Sequence, residues 1–115
     1  MSYRYEYSMS VTNIPNEVED ESLGESIRIL SGYDLSWDGE YSEEHKTSSF
    51  IIDDIVWDNI EDDLTNLSLT FPDSLFTIYI IGEEWDDRRT LYVKNGKSQS
   101  VDIVITYPAP DKYFQ

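Results

Sequence analysis

Apolar and polar residues alternate from Tyr3 to Ile14, with Tyr3, Tyr5, Tyr7, Met9 and Val11 on one face and Arg4, Glu6, Ser8 and Ser10 on the other. A period of two in β-favouring residues predicts a half-buried strand, and Pro15-Asn16 ends it. The period then lengthens. Leu23, Ile27 and Leu30 recur at helical spacing behind Ser22, and Glu25 stands three residues after that serine, as in a capping box. Gly32 follows the last apolar position and predicts the helix stop.

From Tyr33 to Ile52 the pattern predicts a hairpin. Leu35, Trp37 and Tyr41 have strand character, Asp38-Gly39 signals a turn, and Thr47 to Ile52 is a second β-favouring run. Its tip or edge carries Asp38, Glu40, Glu43 and Glu44. Asp53-Asp54 then opens a predicted second helix with Val56, Ile60, Leu64 and Leu67 as one apolar stripe, and Asp58, Glu61 and Asp62 largely opposite. Acids in the first turns suit the positive end of the helix dipole.

Beyond Pro72 the chain reads as an antiparallel meander. Phe76, Ile78 and Ile80 alternate with Leu75, Thr77, Tyr79 and Ile81. The acidic loop Glu83-Glu84-Trp85-Asp86-Asp87 leads to Arg88–Lys94, and Asn95-Gly96 is a strong hairpin signal. Val101, Ile103, Ile105 and Tyr107 share one face of the last strand, which Pro108 and Pro110 stop. Two helices on one face of a mostly antiparallel sheet, ending in a three-stranded meander, make a single α+β two-layer sandwich over residues 1–115, broadly ferredoxin-like.

Charge changes the picture more than any motif. Asp and Glu number 24 against 8 Lys and Arg, for a net charge of −16 in 115 residues. The imbalance is −4 over residues 1–32, −10 over 33–63 and −2 over 64–115. Three Trp, nine Tyr and four Phe supply a core that acidic disordered chains lack. The absence of Cys excludes disulfides and thiolate metal sites. The N-terminus lacks a secretory apolar stretch, and no apolar run approaches the roughly 18 residues of a membrane span. A cytoplasmic location in a bacterial host cell is the expectation.

The stretch Trp57-Asp58 through Leu67-Ser68, with Phe71-Pro72-Asp73, Phe76-Thr77, Gly82-Glu83-Glu84, Asp86, Arg89, Tyr92 and Lys94-Asn95-Gly96-Lys97, resembles a recurring pattern in small phage and mobile-element proteins. In those proteins a helix ends in a Phe/Tyr-Pro-Asp step, a strand reaches Gly-Glu-Glu, and the next strand ends in Lys-Asn-Gly-Lys. The resemblance covers roughly the second half of the chain. It implies a ferredoxin-like fold, and some small acidic phage proteins of this type act as anti-CRISPRs. Its motifs are a helix end and two turns, and they carry no catalytic residue to transfer.

A field of this sign repels nucleic acid and anionic lipid and attracts basic protein surfaces. Candidate partner-binding residues are Asp38, Glu40, Glu43, Glu44, Asp54, Asp58, Glu61 and Asp62, joined by Glu83, Glu84, Trp85, Asp86 and Asp87 of the loop. Carboxylates along a helix rising about 1.5 Å per residue approximate the phosphate spacing of duplex DNA, about 1.7 Å of axis per charge. Trp57 and Trp85 are candidate apolar anchors, whereas Glu17, Glu19 and Glu21 lie in a less densely charged segment and are expected to matter less. The alternative is a solvated acidic face that serves solubility.

His45 is the single histidine and has no helical His-Glu spacing, and no calcium loop with a central glycine is present, so no metal site is expected. Nor does any nucleophile–base motif, phosphate loop or nucleotide fingerprint occur. The expected function is a non-enzymatic inhibitor, anti-CRISPR or anti-restriction, that needs no cofactor. Its expected partner is a basic nucleic-acid-handling protein: a CRISPR effector, restriction enzyme or nuclease. Direct nucleic-acid or membrane binding is not expected. An immunity protein or antitoxin against a basic nuclease toxin fits the same electrostatics, and oligomeric state is not legible.

Overall fold

The computed structural model describes residues 5–32, 40–84 and 87–102, the side chains of Glu40 and residues 53–55 excepted. The elements run β1 (Tyr5–Thr12), α1 (Glu17–Ser31), β2 (Glu40–Ser42), β3 (Thr47–Ile55), α2 (Ile60–Ser68), β4 (Leu75–Gly82), β5 (Arg88–Lys94) and β6 (Lys97–Asp102). Their strands form one six-stranded sheet in the order β2-β3-β1-β4-β5-β6, every neighbouring pair antiparallel. The protein is α+β, with two helices on this sheet and a β4-β5-β6 meander at its end.

The alternation of β1 sets the layers. Tyr7, Met9 and Val11 are buried, and the ladder aligns Met9 with Phe50 of β3 and with Ile78 of β4. Leu91 and Val93 of β5 extend this face, and Leu23, Ile27, Ile60, Leu64 and Leu67 of the helices cover it. Across the sheet, Ser8 sits between Ile51 and Tyr79, and Ser10 between Ser49 and Thr77. That second face carries hydroxyls and scattered exposed aromatics, as an antiparallel sheet wetted on one side does.

Three sequence expectations need correction. First, α1 begins at Glu17, five residues before Ser22, because the Asn16 side chain accepts a 2.9 Å hydrogen bond from the Glu19 N–H and caps the helix there. Second, Asp53 and Asp54 belong to β3 and do not open α2. Pairing of β3 with β1 continues to Ile55 opposite Tyr5, with Asp53-Asp54 set against the single residue Glu6 in a bulge. Ladder pairing thus overrides the low β-propensity of two aspartates. Third, Val56, the first residue of the expected stripe, is exposed and precedes the helix, which starts at Ile60. The β2-β3 hairpin turns at Glu43–Lys46, while Asp38-Gly39 lies outside the described residues, as do Tyr3, Arg4, Ile103, Ile105 and Tyr107.

Asn95-Gly96 makes the predicted turn, with φ of 48° and 76°. It also pins the meander to α2, since the Gly96 N–H donates to the buried Ser68 hydroxyl at 2.8 Å, which itself donates to the Thr65 carbonyl at 2.6 Å. A Cβ on Gly96 would stand 2.7 Å from Leu69 Cδ2. Leu69 is exposed and free to swing aside, so backbone strain dominates. Gly96→Ala is expected to cost about 1–2 kcal/mol, the left-handed penalty, read as a lower urea midpoint at unchanged slope. No change in midpoint would show that the turn relaxes without cost.

Candidate partner-binding surface

Acids gather at the N-termini of both helices, where the macrodipole favours them. At α1 these are Glu17, Glu19 and Asp20 in the first turn, followed by Glu21. The fold brings the β2-β3 turn against this end: the Ile14 N–H donates to the Lys46 carbonyl at 2.9 Å, and the Tyr41 hydroxyl donates to the Ile14 carbonyl at 2.9 Å. Glu43 and Glu44, exposed in that turn, therefore join the α1 acids. Tyr41 registers the combined field. Desolvation raises its hydroxyl above the ordinary tyrosine value, and Glu43, Asp20 and Glu17 raise it further.

The second cluster stands at α2, with Asp58 before the helix and Glu61, Asp62 and Asp63 in its first turn. Trp57 positions it. Its backbone N–H donates to the Tyr7 hydroxyl at 2.9 Å, and its indole N–H donates to the Asp63 carboxylate at 2.7 Å. The Tyr7 and Trp57 rings meet edge to face, centroids 6.2 Å apart. Trp57 is only 5 % exposed, so it is a core residue and not the exposed anchor that its acidic neighbours suggested. Glu61 accepts from the Ser98 hydroxyl of β6 at 2.9 Å, which fixes the start of α2 against the meander.

The loop after β4 lies at the same end of the sheet as Asp58, because Gly82 and Ile55 both pair with Tyr5. It closes through hydrogen bonds from the Gly82 N–H to the Asp87 carbonyl (2.8 Å) and from the Asp87 N–H to the Glu84 carbonyl (2.9 Å). Glu83, Glu84 and Asp87 are exposed, while Trp85 and Asp86 lie outside the described residues.

The continuous acidic run of the sequence is thus split by the fold. Asp58, Glu61 and Asp62 come together, with the Glu83–Asp87 loop at their end of the sheet, whereas Glu43 and Glu44 sit at the other end. Glu40 and Asp54 are placed in β2 and β3, and Asp38 lies outside the described residues. The α1 start sets Glu17, Glu19 and Glu21 beside the β2-β3 turn, a grouping that the sequence reading did not include. Asn16 followed by Glu19 was the cue, overshadowed by the capping pattern at Ser22.

Cations stand among these acids too, Lys46 in the β2-β3 turn with Glu43 and Glu44 and Arg88 directly after Asp87. Arg88, Arg89, Lys94 and Lys97 all lie on β5 and β6. On α1, Arg28 donates to Glu25 at 3.1 and 2.5 Å and holds that carboxyl below its ordinary value. Among the described residues, no cation is in ion-pair contact with Glu17, Glu21, Asp58 or Asp62. His45 is exposed, within 4.0 Å of Glu44. No group of three or more His, Cys, Asp or Glu able to hold a metal occurs among the described residues, and none of their helices is long and apolar enough to cross a membrane. Comparison with known proteins finds no matching family model, curated protein or solved structure.

Tyr7 is the test of how this surface is held. Tyr7→Phe leaves the buried Trp57 N–H without its acceptor and is expected to cost about 1–3 kcal/mol in a urea melt. The hydroxyl also gives stability a pH dependence. Burial is the largest cause of its raised pKa, so the folded state binds the proton more tightly than the unfolded state. Stability is therefore full below the ordinary tyrosine value of about 10 and falls as pH rises through the folded value. Melts between pH 8 and 11 should show that alkaline loss shrinking in Tyr7→Phe. An identical decline in both proteins would place its origin in other groups.

Proposed function

We propose that the protein is a non-enzymatic inhibitor of phage type, anti-CRISPR or anti-restriction, that occupies the basic nucleic-acid channel of a host protein through its acidic helical layer. The observation that carries this reading is the gathering of acids at the two helix starts. Acids crowd the starts of both helices and the adjoining loops, and the cations that stand beside them, Lys46, Arg88 and Arg89, are too few to neutralise them.

Duplex nucleic acid offers a continuous phosphate track. Here the carboxylates form two patches separated by the length of α1, whose 15 residues span about 22 Å. Two separated patches suit Lys and Arg clusters on opposite walls of a channel, with charge-assisted contacts at each. The ferredoxin-like fold belongs to the same reading. The β-α-β-β-α-β order of the first six elements supports it, as does β1 lying between β3 and β4. The sheet differs from the usual four-stranded order by β5 and β6 beyond β4.

Capture of the partner from host lysate at low salt, with release at high salt, is the first measurement. Capture of a nuclease toxin instead would move the reading to an immunity protein. With the isolated partner, Asp58→Lys with Asp62→Lys is expected to slow association roughly tenfold, since steering acts on the on-rate. Glu17→Lys with Glu21→Lys is expected to slow it less, and the partner's own nucleic acid should compete. Equal loss from both pairs would show that net charge, not a defined surface, drives binding. Binding indifferent to salt, charge reversal and nucleic acid together would remove mimicry. The protein alone should retain neither DNA nor RNA at physiological salt, and micromolar retention in a gel shift would contradict the reading.

A further inference from the structure

With Trp57 buried, the acidic surface needs another apolar anchor, and one lies between the helices. Leu30 of α1, 38 % exposed, lies at the edge of the stripe that buries Leu23 and Ile27, and Ile29, 66 % exposed, lies beyond it. With Ser26 they form one wall of a furrow of about 380 Å³, and Asp63, Asn66 and Leu67 of α2 form the other. The furrow runs where the two helices meet, above the core to which α1 contributes Leu23 and Ile27 and α2 contributes Leu64 and Leu67. Its surface is chiefly aliphatic. One rim is acidic, Asp63 with the exposed Asp62 beside it, and the exposed Asn66 amide has no partner among the described residues.

We propose that this furrow docks a basic amphipathic segment of the partner. Its aliphatic side chains seat against Ile29, Leu30 and Leu67, and its Lys or Arg residues meet Asp62 and Asp63. The mode is helix-in-groove recognition, with anchors at i, i+3, i+4 and i+7. Charge selects this occupant. A second copy of the chain would set −16 against −16, whereas a basic segment gains apolar burial and ionic contact in one pose. Another broad depression, on the open sheet face between Ser8, Ser10, Ser49 and Tyr79, has no charged residue in its lining to choose an occupant. The inference rests on the partner being basic, as proposed above, and adds that it supplies a continuous apolar stripe.

The test uses the full chain and two synthetic Leu/Lys peptides of about 18 residues, five turns of helix. In one, the leucines fall on a single face, and in the other the same residues are scrambled around the helix. The amphipathic peptide should bind at least tenfold tighter by titration calorimetry, shifting amide resonances of residues 26–30 and 63–67. Ile29→Ser with Leu30→Ser should erase that tenfold preference, and Ile29→Ser alone, at the more exposed position, should reduce it without loss of folding. Ile51→Ser with Val101→Ser, on the open face, should leave it intact. Equal affinity for the two peptides, or shifts confined to the open face, would overturn the furrow as a docking site and leave the acidic reading standing. Failure of both peptides to bind even at low salt would overturn the acidic reading as well. A dimer in sedimentation that dissolves in the Ile29/Leu30 variant would make a second copy the occupant and overturn the proposal.

Discussion

Everything in this protein follows from the pairing of β1 with β3 on one side and β4 on the other. Two antiparallel pairings on one strand oblige α1, which leaves the end of β1, and α2, which leaves the end of β3, to start at opposite ends of the sheet. Each helix start is a positive dipole end that tolerates carboxylates. The acids are therefore dealt to two ends, and the furrow between the helices is what remains where neither covers the other. Charge pattern and apolar groove are consequences of one strand order.

Repulsion among so many carboxylates opposes folding, and the structure limits it in local ways. Asn16 caps α1, Arg28 neutralises Glu25, and Glu61 receives the Ser98 hydroxyl. Asp63 is the most consequential case, because it accepts the indole proton of Trp57 and so couples the acidic surface to the core. Its charge is thus not interchangeable with that of exposed Asp62. Charge reversal at Asp63 would disturb the packing of Trp57 against Tyr7 as well as the field, and only the exposed neighbours report on electrostatics alone.

Legibility from sequence tracked how local the determining interaction was. The faces of β1 and β4 were readable because alternation is a property of consecutive residues. The Asn95-Gly96 turn was readable because its positive φ values restrict residue type. The start of α2 was not. Val56, Ile60, Leu64 and Leu67 fit a helix, and only the long-range ladder from β3 to Tyr5 shows that the strand runs on through Asp53 and Asp54. Trp57 misled for the same reason, since acids flank it in sequence while Tyr7, fifty residues away, buries it. The division of the acidic run into two clusters was likewise invisible, because it depends on which strand lies beside which.

That division bears on what kind of mimic is physically reasonable. Exposed charges are screened over about 8 Å at physiological ionic strength, so patches separated by the length of α1 act on a partner almost independently. Each steers encounter, and neither alone holds a complex, because ion pairs between exposed groups contribute at most about 1 kcal/mol. Residence time must then come from buried apolar contact, which carries most interface hot-spot energy. Among the described residues, Val18 and Val56 are exposed singly beside carboxylates, whereas the interhelical furrow groups several aliphatics against Asp63. An acidic surface that attracts and a furrow that retains are complementary requirements, and here they share the face of the sheet that the helices cover.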